Sequence, residues 1–135
     1  MFLFLVKLIG IAFSVLVLSL IIFGFSHTWQ VQHSENQKIF LEGVIPDPMP
    51  EGLYKGNIGK YEVAWLGKIF NSQILSGINI FVDKNGKLTE KYPFKNYIGK
   101  GLIDKNINVL KIDYNVASNP FWVRIILDEI VQTSE

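Results

Sequence analysis

Arg124 is the only arginine in the chain, and Asp113 and Asp128 flank it in the sequence. A guanidinium near two carboxylates can form a structural ion pair, or it can offer a planar fork to a carboxylate or phosphate headgroup. The two acids could instead be posed as an acid–base pair, but an adjacent guanidinium keeps both ionised and leaves no proton donor. His27 and His33 are the only histidines and there is no cysteine, so Ser-His-Asp and Cys-His arrangements have no base in the C-terminal part of the chain. His27, His33 and Glu35 match no standard ligand spacing, so no metal and no cofactor are expected. The Gly-Lys pairs at 59–60, 67–68, 86–87 and 99–100 lack the rest of a nucleotide P-loop and read as turns and bulges. The residue types point to binding and not to an enzyme. The candidate ligand-binding set is Arg124, Asp113 and Asp128 with the aromatics Trp65, Tyr114 and Trp122.

Those residues must be positioned by a chain of 135 residues with a net charge of +1. Charge is unevenly distributed: Lys7 is the only charged side chain in the first 25 residues, and the remainder is balanced. A neutral domain offers no electrostatic footprint for nucleic acid, which excludes it as an expected partner.

Residues 8–25 are an uninterrupted uncharged stretch of 18 residues. As a helix it would span about 27 Å, close to the hydrocarbon thickness of a bilayer. Residues 1–25 therefore read as a transmembrane anchor, with a cleaved signal peptide as the alternative. The bilayer is the first expected partner. Lys7 before the span weakly favours a cytoplasmic N-terminus, which puts the C-terminal domain on the non-cytoplasmic side. Residues 26–51 read as a polar and then proline-rich linker. Pro46, Pro48 and Pro50, at every second position, block helix and central strand alike.

Residues 52–135 read as a β domain. Strands are expected at 52–56, 61–70, 77–82, 88–98, 109–115 and 121–133, the last two joined at Asn119-Pro120, with a helix over 121–131 as the competing reading of the last. In the second, Trp65 shares a face with Tyr61, Val63 and Ile69, whereas Lys68 shares the other with Leu66 and Phe70. Asn85-Gly86 supplies the positive φ angles of a tight hairpin. The expected fold is all-β: an antiparallel meander forming a small or partial barrel, preceded by one transmembrane helix. A closed ligand-holding barrel usually wants about eight strands. The domain is therefore expected to be open, C-terminally incomplete, or completed by a partner.

An ordered series of motifs carries a resemblance: Gly52-Leu53-Tyr54-Lys55-Gly56, Trp65-Leu66-Gly67-Lys68-Ile69-Phe70, Lys91-Tyr92-Pro93-Phe94, and 119–129 beginning Asn119-Pro120-Phe121-Trp122. It resembles uncharacterised bacterial lipocalin-like (calycin) proteins of the G-x-W-x-G / W-x-G-K-x-F type, with Tyr54 standing where that signature has Trp. The resemblance implies a barrel with a cavity for an apolar or lipidic small molecule, and it brings no catalytic residues. The expected function is thus a membrane-anchored module binding such a molecule. The alternative is an interaction domain that pairs a sheet edge with a membrane protein partner.

Overall fold

The structure, a computed structural model, describes residues 2–58 and 63–133. It divides into two compact units, one ending at Glu42 and one beginning at Gly43.

The first unit is helical. Helix α1 (Phe2–Gln32) contains a segment, Val6–Gln32, that is long and apolar enough to cross a membrane, with a mean hydropathy of 2.7 in its most apolar window. Its described side chains are exposed around the whole circumference, which water would penalise and hydrocarbon would not. The helix runs on through residues 26–32, which had read as linker. There His33 Nδ1 lies 2.8 Å from the Trp29 carbonyl, and the two rings stack at 4.4 Å. Helix α2 (Glu35–Glu42) follows because Ser34 caps it: the Ser34 hydroxyl accepts the Gln37 N–H at 3.2 Å, satisfying one of the donors that a helix start leaves free.

The second unit is a six-stranded antiparallel meander in sequence order: β1 (Gly52–Lys55), β2 (Trp65–Asn71), β3 (Ser76–Val82), β4 (Leu88–Lys100), β5 (Asn108–Asp113) and β6 (Leu127–Ile130). The sheet is not closed, and among the described residues β1 and β6 do not pair. Residues 61 and 62, expected in the second strand, lie outside the described residues. At the β3–β4 hairpin, Gly86 takes φ of 77°, and the Asp83 carboxylate accepts the N–H groups of Asn85 and Lys87 at 2.8 and 2.9 Å.

Two bulges bend the sheet. One lies between Trp65 and Gly67, where a side chain at Gly67 (φ 152°) would run into the Tyr54 carbonyl oxygen. The other lies opposite Gly77–Asn79, where β4 carries one residue more than β3 across Tyr92-Pro93. Pro93 has no N–H for a ladder, so a bulge is where a strand tolerates it.

The core lies on the concave face: Phe70, Phe94, Ile112, Tyr114 and Val123, with Tyr92 and Ile130 packed against it. The rings of Phe70, Phe94 and Tyr114 meet edge to face at 5.3 and 5.7 Å. On the opposite face, Lys111 is 93% buried (7% exposed) and pairs with Glu129 at 2.8 Å, and the same carboxylate accepts the Leu102 N–H.

The proline-rich segment belongs to this domain and is not a linker. Val44 exchanges two backbone hydrogen bonds with Gln132 beyond β6, at 3.0 and 2.7 Å. Eight residues later the chain enters β1 at Gly52. The segment thus straps the gap between the last and first strands, and its prolines explain why it does so without joining the ladder.

The last expected strand is corrected. Only Leu127–Ile130 is strand, and residues 121–125 form turns in which the Pro120 carbonyl accepts the N–H groups of Val123 and Arg124 at 3.0 and 3.2 Å. Pro120 fixes a turn-compatible φ, and Val123 drops into the core, so the alternation of apolar residues there is not that of an extended chain.

Candidate functional site

The concave face carries one polar cluster inside an aromatic setting. Lys68 Nζ donates to the Tyr114 hydroxyl at 2.6 Å and to Asn79 Oδ1 at 3.1 Å, and it pairs with Asp128 Oδ2 at 3.2 Å. Its three N–H groups are therefore matched by three acceptors. The ammonium also lies 4.9 Å from the Trp65 ring centre and 5.4 Å from that of Tyr114, within cation–π range.

The backbone explains how these groups meet. The β4 bulge turns the Tyr92 carbonyl toward Asn79, whose Nδ2 donates to it at 2.9 Å. That bond orients the amide, so Asn79 Oδ1 faces Lys68 and accepts the Trp65 indole N–H at 3.0 Å. Lys68 and Asp128 sit on β2 and β6, four strands apart in the sheet order. In a flat sheet that separation would be about 19 Å at about 4.8 Å per strand. An ion pair of 3.2 Å is possible only because the sheet curls until its two ends face each other.

A cavity of about 470 Å³ opens beside this cluster, between the strap (Pro46, Asp47, Pro48, Pro50), Tyr54, Lys55, Trp65 and Phe70 on one side and Ile130 to Gln132 on the other. Its lining is mostly apolar. Lys68 is its best-buried polar contributor, with a side chain 13% exposed, while Asp47, Lys55 and Gln132 supply the remaining polar groups. Gly56 also lines it, and its missing side chain leaves the space that the Trp65 ring occupies.

Burial pushes the Tyr114 hydroxyl above the usual phenol range, against the opposing pull of its hydrogen bond from Lys68. The folded chain therefore holds the Tyr114 proton more tightly than the unfolded chain does. The resulting stabilisation is complete below about pH 10, the unfolded value, and declines as pH rises through the folded one. Alkaline unfolding followed between pH 9 and 12 should show an extra loss of stability in the parent that Tyr114→Phe lacks; identical alkaline slopes in the two proteins would contradict this placement.

Of the sequence-derived candidates, the structure brings Trp65, Tyr114 and Asp128 together. Asp113, Arg124 and Trp122 lie elsewhere. Asp128 is in register with the core residue Ile112, whereas Asp113, one residue on, belongs to the opposite face. Its carboxylate accepts the Asn115 N–H at 2.8 Å, so the two acids form no pair. Arg124, in the turn and not on a strand, donates from Nε to Asn115 Oδ1 at 3.0 Å; the cation facing Asp128 is Lys68. Trp122 is 58% exposed.

Comparison with protein-family models, with curated proteins and with solved structures returns no match. The site therefore stands on its geometry.

Lys68 and Asn79 were missed by the sequence reading. The signal was present in part, since alternation puts Lys68 and Phe70 on one face. The bulge between Trp65 and Gly67 shifts the register and carries Trp65 into contact with the same cluster, which strict alternation forbids.

Proposed function

We propose that this chain is a membrane-anchored β module that holds an apolar small molecule beneath the proline strap, with an acceptor group on that molecule, such as a carboxylate, directed toward Lys68. The observation that carries this reading is the cavity of about 470 Å³ with a mostly apolar lining that includes the Lys68 cation. Ligand sites commonly combine those two features, because burial of the apolar body supplies affinity and a few fixed polar groups supply orientation. Asp128, the more exposed partner of Lys68 at 40% against 13%, can turn to water when a ligand group replaces it. In fold terms the domain is read as an open relative of a lipocalin-like barrel, with the strap standing where further strands would close it. Helix α1 is read as the anchor, with the N-terminus cytoplasmic and the β module outside.

The test uses the full chain in lipid nanodiscs and a dansyl-labelled fatty acid as the probe. Saturable binding beyond that of empty nanodiscs is expected, with a Kd in the micromolar range, about −8 kcal/mol. Ile130→Trp, which fills the cavity from its wall, should abolish the saturable component while leaving the circular dichroism spectrum unchanged. If the probe binds no better than to empty nanodiscs, or binds equally to Ile130→Trp, the module is not a carrier of this kind.

A further inference from the structure

The turn at 121–125 has no role in the cavity, yet it is held firmly. Val123 is 6% exposed within the core, and Asn119, also 6% exposed, donates from Nδ2 to the carbonyls of Pro93 and Tyr114, both at 2.8 Å. On that fixed base Phe121, Trp122 and Ile125 project outward, 77, 58 and 84% exposed, with the two rings in edge contact at 5.1 Å. Large apolar side chains grouped in this way on a pinned turn mark a surface that is normally covered.

We propose that Phe121, Trp122 and Ile125 form a docking knuckle that enters the headgroup boundary of the bilayer crossed by α1. Two observations favour lipid over a protein partner. Across residues 114–127 the only charged side chain is Arg124, and there is no acid. Arg124 uses Nε on Asn115, and its remaining donors suit lipid phosphate. Trp and Phe beside a single cation, without carboxylates, is the composition that settles at a membrane interface. Second, only residues 33–42 separate α1 from the β unit. Ten residues reach no further than roughly 35 Å from the end of α1 even when extended, so the tether keeps the domain near the membrane that α1 crosses. The proposal rests on α1 being an anchor and is independent of the cavity's ligand.

The experiment uses the full chain carrying Trp29→Phe, reconstituted in phosphatidylcholine vesicles that contain phosphatidylglycerol and bromine-labelled acyl chains. The Trp122 signal is obtained by difference from the same chain with Trp122→Phe. Trp122 should be quenched by the brominated lipid and shielded from aqueous iodide. Phe121→Ser with Ile125→Ser, both at exposed positions, should abolish the bromine quenching while circular dichroism stays unchanged. Arg124→Gln should lower the docking equilibrium constant about fivefold, the factor that roughly 1 kcal/mol per surface cation implies. Alkaline carbonate extraction separates the two readings. A chain stripped from the vesicles overturns both the anchor and the knuckle. A chain that resists extraction, but whose Trp122 is open to iodide and untouched by bromine, overturns the knuckle alone. So does photocrosslinking from position 122 in native membranes that captures one protein and no lipid.

Discussion

Phe94→Ala should destabilise the β unit by about 3–5 kcal/mol, the range for emptying an aromatic site in a core that relaxes only in part. Phe94 is 1% exposed and is the central ring of the row joining Phe70 to Tyr114. Gly77 gives that ring its space, because a side chain at Gly77 would strike the Phe94 ring and the Ile69 carbonyl oxygen. The backbone around the ring is therefore close-packed and cannot collapse far to fill the hole. The β unit starts at Gly43, and among its described residues the largest fully buried side chains besides Phe94 are Leu110, Ile112 and Val109. A domain of this size has about 5–10 kcal/mol of total stability, so the variant should lose roughly half of it. Thermal unfolding of the full chain in detergent, read by near-ultraviolet circular dichroism, measures it. A loss below about 1 kcal/mol would mean that the core is not organised around this ring.

Lys68→Met should be the next most damaging change, at roughly 2–3 kcal/mol. Methionine keeps most of the volume and the stem packing, so the loss isolates the ammonium. Tyr114 and Asn79 would each lose a donor at a buried position, and Asp128 would lose its counter-ion. Asp128 is 40% exposed and recovers water, which is why the figure falls below that for breaking a fully buried pair. Urea unfolding of the full chain in detergent gives the midpoint. A cycle with Asp128→Asn then separates the ion pair from the bonds to Tyr114 and Asn79. If Lys68→Met left the midpoint in place, the two ends of the sheet would have to be held together by the strap and not by the cluster.

The pairing pattern was largely legible in the residues. Alternation and Asn85-Gly86 located β3 and its hairpin. The helix was legible because eighteen uncharged residues have no other stable form in lipid. The candidate site was half legible. Trp65, Tyr114 and Asp128 stood out as large or charged residues in strands, but the cation that unites them did not, because Lys68 looks like one of many surface lysines. Arg124 attracted attention as the sole arginine, yet Pro120 had already turned the chain before reaching it.

What the chain alone determines is local: period-two segments, turn chemistry, an apolar helix, and prolines that refuse a ladder. Each depends on residues within a few positions of one another. What only the tertiary structure decides is which distant positions meet, since the curl accumulates over six strands and two bulges. A single extra residue in a strand reverses which face its neighbours occupy, and no alternation pattern shows where the partner strand makes that adjustment. That is why the strap, the Lys68–Asp128 contact and the cavity between them emerge only once the two ends of the sheet have been brought face to face.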